Sequence, residues 1–169
     1  IEAAREAGAH IVLAGRIGDV DYFEQEIVPR LGAHARYVGP LRQPDLCRLV
    51  GSSAVALVTP MWEEPFGLVI VEALATGTPV AAFDIGGVSE VVAGIPGTTT
   101  VMPGDVVALA KAATQLAETG AREPLTRVWT RRATIRQHSL VQRYREVERV
   151  LALSAHGAPA VDAVEAVGA

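Results

Sequence analysis

Glu64 and Glu72 stand eight residues apart, on either side of Pro65-Phe66-Gly67 and an otherwise apolar run. Ionised carboxylates only accept hydrogen bonds, so each suits sugar hydroxyls and neither welcomes phosphate. The residues between them read as the start of a helix. Its first turn offers backbone N–H groups and the positive end of a dipole, an anion site. Gly67 lets a ligand approach the backbone closely. In a helix begun at Pro65, a rise of about 1.5 Å per residue separates the two carboxylates by roughly 12 Å along the axis. The layout is hydroxyls, anion, hydroxyls. A sugar joined through a diphosphate to a ribose has that order.

The elements that would hold this arrangement are legible on both sides. Pro65 suits a first helical position and Gly77 a left-handed residue just past the last turn. Ala54 to Pro60 and Thr78 to Asp84 are short apolar runs of the kind buried on both faces of a parallel sheet. The unit is strand, helix, strand. Its apolar neighbours place Glu72 in a partly buried position. The plain structural alternative is that Glu64 caps the helix and Glu72 pairs with a basic side chain.

The block Glu64-Pro65-Phe66-Gly67 to Glu72-Ala73 resembles the Glu-x7-Glu signature of retaining glycosyltransferases, particularly glycosyltransferase family 4. The likeness continues through Ala75-Thr76-Gly77-Thr78-Pro79-Val80 and Asp84-Ile85-Gly86-Gly87-Val88-Ser89-Glu90, and more loosely from His10 to about Val150. The family's usual Ser after the strand proline is replaced by Met61, followed by Trp62. The resemblance implies the donor-binding, C-terminal half of a two-domain GT-B fold. It implies that Glu72 accepts from ribose hydroxyls and that Phe66, Gly67 and Leu68 offer N–H groups to the diphosphate. Glu64 would hold a donor-sugar hydroxyl beside the anomeric carbon, as the catalytic residue. Main-chain groups around Leu41 would hold the nucleobase, although Gly39-Pro40 also reads as an ordinary turn. The donor is a nucleoside diphosphate sugar, transferred as a hexose-type sugar to an alcohol, with no cofactor and no metal. Such domains begin with a strand and a basic Gly-Arg…Lys-Gly segment, which would lie before Ile1. The N-terminal acceptor domain is likewise the implied missing partner, so this length of chain alone is expected to be inactive. A nucleotide-sugar-binding or regulatory module without turnover is the alternative reading, and a sugar-nucleotide epimerase a further one.

The chain has 169 residues, half of them hydrophobic, a composition suited to one compact α/β domain. A net charge of −4 gives no reason to expect nucleic acid. Membrane-surface association of a longer protein stays open. Cys47 is the single cysteine, which fits a reducing, cytoplasmic compartment. Residues 1–7 read as a helix already under way at the first residue, with Gly8 as its stop. His10 to Gly15 reads as a strand, Tyr22 to Leu31 as a helix, Arg36 to Val38 as a strand and Pro44 to Val50 as a helix. Gly15-Arg16-Ile17-Gly18-Asp19 lacks the glycine spacing of a dinucleotide fingerprint. Gly86-Gly87 either brings backbone near a ligand or turns tightly into a helix. Helices follow from Asp105 (a cap) to Gly120, from Arg122 to Arg136 and from His138 to Ala155. Arg143, Arg145 and Arg149 are interleaved in the last with Glu146 and Glu148, as on a solvated face. Strands alternating with helices predict a doubly wound, Rossmann-like parallel sheet, one half of a GT-B fold without its first strand. Ligands in such sheets bind beyond the strand carboxyl ends, at loops Gly15–Asp19, Gly39–Gln43 and Met61–Gly67. The domain runs over 1–155, with a loose tail over 156–169. Its four histidines have no ligand-like spacing.

Overall fold

A computed structural model describes residues 1–155, and the expected tail at 156–169 lies outside the described residues. The elements follow in the order α1 (Glu2–Glu6), β1 (Ile11–Leu13), α2 (Val20–Tyr22), β2 (Ala35–Tyr37), α3 (Gln43–Ser52), β3 (Ala56–Val58) and α4 (Leu68–Ala75). Then come β4 (Val80–Phe83), α5 (Val88–Val92), β5 (Thr98–Val101), α6 (Val106–Arg122), α7 (Leu125–His138) and α8 (Leu140–Ala155). Every strand pairing is parallel. Strands of this kind need helical crossovers, and the α/β alternation supplies them.

The strands form two sheets rather than one. β1 pairs with β2, in register Ile11 with Ala35, and β3, β4 and β5 pair in that order, Ala56 with Val80 and Val80 with Thr98. The single sheet expected from the sequence is therefore split between β1 and β3. The core lies on the two faces of β4. Ile70, Leu74, Val80, Ala82, Val88 and Val91 pack on one side, and Ala3, Ala81, Phe83, Leu109 and Ala113 on the other.

Three local expectations are corrected. Tyr22–Leu31 is not one α-helix. After α2 the backbone widens into a π-turn over Phe23–Ile27 and tightens into a 3₁₀ turn over Val28–Arg30. Pro29 has no N–H to continue an α-helical ladder. The helix carrying Glu72 starts at Leu68, not at Pro65. Gly67 sits before it at φ 69°, a left-handed conformation that no right-handed helix contains. A Cβ there would also lie 3.0 Å from Ile70 Cδ1, a tight contact that the end of that side chain would have to ease. Third, β5, with its polar Thr98-Thr99-Thr100, adds a strand that the apolar-run criterion passes over. Asp105 does cap α6, its Oδ1 accepting from the Ala108 N–H at 2.8 Å.

α7 is fastened across the domain by Arg127, a residue with no sequence signal. Its guanidinium donates to the carbonyls of Ser53 at 2.9 Å and Gly51 at 2.6 Å, and to Thr78 Oγ1 at 3.0 Å. Thr78 Oγ1 in turn donates to the Val50 carbonyl at 2.8 Å, so α3, α7 and the start of β4 share one polar knot.

Candidate functional site

The site is built where β3 ends and α4 begins. Glu64 is partly buried, and its Oε1 accepts from the Gly67 N–H at 3.0 Å. That bond bends the loop back on itself and presents the carboxylate at the mouth of α4. It also takes one of the three N–H groups anticipated for an anion. Ile70 N–H bonds to the Gly67 carbonyl at 2.8 Å. The N–H groups of Leu68 and Val69 meet no protein acceptor among the described residues. They form the open first turn of a helix with its positive dipole end outward. Leu68 and Val69 are themselves 67% and 62% exposed, so this turn faces solvent. The eight-residue helical ladder between the glutamates does not exist, because Gly67 breaks it, and the axial separation derived from it does not apply.

The Glu64 loop is held from behind by two glycines. Gly87 N–H donates to the Glu64 carbonyl at 2.8 Å. A Cβ on Gly87 would meet the Pro65 carbonyl oxygen, and one on Gly86 would meet Glu64 O, both far inside contact distance. Gly86-Gly87 thus brings backbone against the glutamate loop. Gly87 also stands at the entrance of α5, as the alternative of a tight turn into a helix has it. Phe66 is braced from the far end of the chain. The His138 ring meets it edge-on at 5.8 Å, and His138 Nε2 lies 3.0 Å from the Val91 carbonyl.

Glu72 lies one face further along α4 and is exposed, contrary to the partial burial expected. An open cavity beside α3 and α4 leaves it uncovered. Its Oε1 accepts from Gln43 Nε2 at 3.4 Å. Gln43 begins α3, immediately after the loop that carries Leu41, so the second expected loop is tied to the second glutamate. The first loop joins them through Gly15, whose N–H donates to the Gly39 carbonyl at 3.0 Å while its own carbonyl accepts from Tyr37 Oη at 2.7 Å. Glu64, Phe66, Gly67, Leu68, Glu72 and the Leu41 loop therefore belong to adjoining strand-end loops and one helix. Sequence reasoning missed His138 and had Gln43 and Gly87 only as parts of a loop and a glycine turn; all three act on this site through contacts remote in sequence. Among the described residues no group of His, Cys, Asp or Glu is arranged to hold a metal ion.

A parallel Rossmann-like α/β domain of this kind is the building block of the GT-B glycosyltransferases. The chain belongs to the family of glycosyl transferases group 1, whose model matches residues 1–119. It is 40% identical over 108 residues to a glycogen synthase of Mycobacterium tuberculosis (strain CDC 1551 / Oshkosh), covering 62% of this chain and 25% of that protein. It is 44% identical over 61 residues to a D-inositol 3-phosphate glycosyltransferase of Nocardioides sp., covering 36% of this chain and 13% of that one. Among solved structures, Anabaena HepE in complex with UDP-glucose matches with a TM-score of 0.73 at 23% identity, over 89% of this chain and 43% of that one. Sucrose-phosphate synthase from Thermosynechococcus elongatus matches with a TM-score of 0.65 at 27% identity, over 79% of this chain and 36% of that one. The chain spans about a quarter or less of the length of these two curated relatives. No helix among the described residues is long and apolar enough to cross a membrane.

Proposed function

We propose that this chain is the donor-binding half of a retaining glycosyltransferase of family 4. It would bind a nucleoside diphosphate sugar for transfer of a hexose-type unit to an alcohol. The observation that carries this reading is the mouth of α4. A carboxylate, Glu64, closes on the Gly67 N–H, and beside it the Leu68 and Val69 N–H groups stand open. The diphosphate would lie on that open turn, joined there by the Phe66 N–H. Glu72, tied by Gln43 to the loop of Leu41, would take the ribose hydroxyls, with the base over Leu41. Glu64 would hold a sugar hydroxyl beside the anomeric carbon.

In this reading the reaction is departure of the diphosphate. Negative charge grows on its bridging oxygen, and fixed N–H dipoles stabilise that charge more in the transition state than in the ground state. The acceptor hydroxyl attacks from the same face and passes its proton to the departing diphosphate. No cofactor or metal enters the scheme. A UDP-glucose complex is known for the HepE neighbour, which supports a nucleotide sugar as the ligand class here. The acceptor domain would be contributed by a longer protein, and the single Cys47 suits a cytoplasmic setting. The 169-residue chain alone is expected to bind donor without turnover.

The test is Glu64→Ala in the longer enzyme. A group that touches only the transferring sugar should leave nucleoside diphosphate affinity nearly intact while turnover collapses. A group that is only a cap would lose about 1 kcal/mol of stability and loosen the N–H turn, so melting temperature and nucleotide affinity would fall with turnover. Normal turnover would reject the catalytic role.

A further inference from the structure

α7 is built inside out. On α6, the long helix before it, Leu109, Ala110, Ala112 and Ala113 are buried, as an amphipathic helix ordinarily has it. On α7 the buried residues are Thr130 and Thr134. Thr130 Oγ1 lies 2.8 Å from the Pro96 carbonyl and 2.9 Å from that of Thr126, and Thr134 Oγ1 donates to the Thr130 carbonyl at 2.8 Å. With Arg127 beside them, the face turned to the domain is polar. The large apolar side chains stand outside: Leu125 is 65% exposed, Val128 44%, Trp129 53% and Ile135 47%. Arg131, Arg132 and Arg136 are exposed among them, and α7 carries no Asp or Glu. The Arg132 guanidinium lies 5.6 Å from the Trp129 ring centroid. Among the described residues none of these three arginines pairs with a carboxylate. Arg127 and Thr130 bind carbonyls of Gly51, Ser53 and Pro96, which precede β3 and β5. The Leu125, Val128 and Trp129 end of the strip is therefore at the amino ends of the strands, away from Glu64.

We propose that the outer face of α7 docks on an anionic lipid surface. Leu125, Val128, Trp129, Arg132, Ile135 and Arg136 recur at steps of three and four, so they share one stripe along a helix about 21 Å long. Apolar and cationic side chains alternate down that stripe instead of lying on separate faces. Such mixing suits the boundary of a bilayer, where acyl chains and phosphates are met at nearly the same depth. Trp129 would sit at headgroup level, its ring in the apolar layer and its N–H toward water. The arginine stems would follow the apolar side chains down while their guanidiniums turn up to the phosphates. In a chain of net charge −4, a helix with four arginines and no acid is the part that an anionic surface attracts. A second copy is a poor occupant, because the contact would press two arginine-rich faces together. Docked this way, the domain keeps the mouth of α4 free. The inference rests on α7 alone and does not depend on the glycosyltransferase reading.

Vesicle binding tests it. The 169-residue chain is titrated with vesicles of phosphatidylglycerol mixed into phosphatidylcholine, and with phosphatidylcholine alone. Binding is read by co-sedimentation and by the emission of Trp129 in a Trp62→Phe background, since Trp62 is also exposed. The mixed vesicles should bind at least about tenfold more tightly, shift the emission to the blue, and release the protein at high salt. Arg131→Gln, Arg132→Gln and Arg136→Gln together should weaken binding on the order of a hundredfold. Trp129→Ala should weaken it by about tenfold and leave the salt dependence in place. All these positions are exposed, so melting temperatures should hold, and Val147→Ser on α8 should bind as the parent does. No binding to the mixed vesicles would overturn the proposal and leave the face to a protein partner. Equal binding to both vesicle types, or a loss of affinity that Val147→Ser shares, would overturn it too. So would self-association that disappears in the α7 variants while lipid binding stays.

Discussion

β3 and β4 are neighbours in one sheet, both short and apolar, yet solvent treats them differently. Val80, Ala81, Ala82 and Phe83 of β4 are 1%, 0%, 1% and 5% exposed, whereas Ala56, Leu57 and Val58 of β3 are only partly buried. Both have helices over their faces. The difference lies at the edges: β4 is paired on both sides and β3 on one. Strand burial in a doubly wound sheet is therefore as much a matter of lateral neighbours as of the helices above and below. The same contrast separates the two halves of the candidate site. The Glu64 loop leans on the closed side, against Gly86-Gly87 of the β4–α5 turn. Glu72 looks into the open side.

Substitutions at five positions would break or sharpen that contrast. The largest effect is expected on the closed side, where Leu74 is fully buried. Leu74→Ala should cost about 2–5 kcal/mol in urea unfolding, and Leu57→Ala on the open side well under half as much. Equal losses would erase the distinction between the two sides. Next comes Gly87→Ala, whose new methyl would collide with the Pro65 carbonyl. Shifting the Glu64 loop by about 1 Å should lower turnover of the longer enzyme about a hundredfold with the fold retained. Unaltered turnover would mean that the glycine pair does not set the position of Glu64.

Arg127→Met is expected to be smaller, at about 1–3 kcal/mol of stability. It keeps the packing of the stem but leaves the Gly51 and Ser53 carbonyls without their donor. Thermal melts would measure it, and a change within error would show that water replaces the guanidinium at no cost. Asp105→Ala removes an exposed cap on α6 and should cost about 1 kcal/mol, with Asp105→Asn recovering most of it. Equal destabilisation by both would point to charge at the helix end rather than the cap bond itself.

The strand–helix alternation, the caps at Asp105 and Gly77, and the cluster of strand-end loops were legible because they rest on local patterns of two or four residues. Gly77 does take φ 82° after α4, where a left-handed residue was expected. What could not be read has a common cause in contacts remote in sequence. Pro65 has the right chemistry for a helix start, but Gly67 two residues on has φ 69° and delays the helix to Leu68. The Gly86-Gly87 pair looks like any turn until the Glu64 carbonyl is seen against it. Arg127 is one of several arginines in a polar helix, and only the fold brings the carbonyls of Gly51 and Ser53 to it. Glu72 was expected to be sheltered because its sequence neighbours are apolar. Its exposure depends on a cavity whose walls come from strands and helices spread over more than a hundred residues.

The central claim is that the α4 mouth and Glu72 together hold a nucleoside diphosphate. Calorimetric titration of the protein with UDP, beside the Glu72→Gln variant, addresses it most directly. A carboxylate accepting from ribose hydroxyls contributes about 1.5–3 kcal/mol, so the amide should weaken binding by roughly ten- to a hundredfold while melting temperature stays put. Equal affinity for UDP in the two proteins, or no heat of binding in either, would contradict the claim.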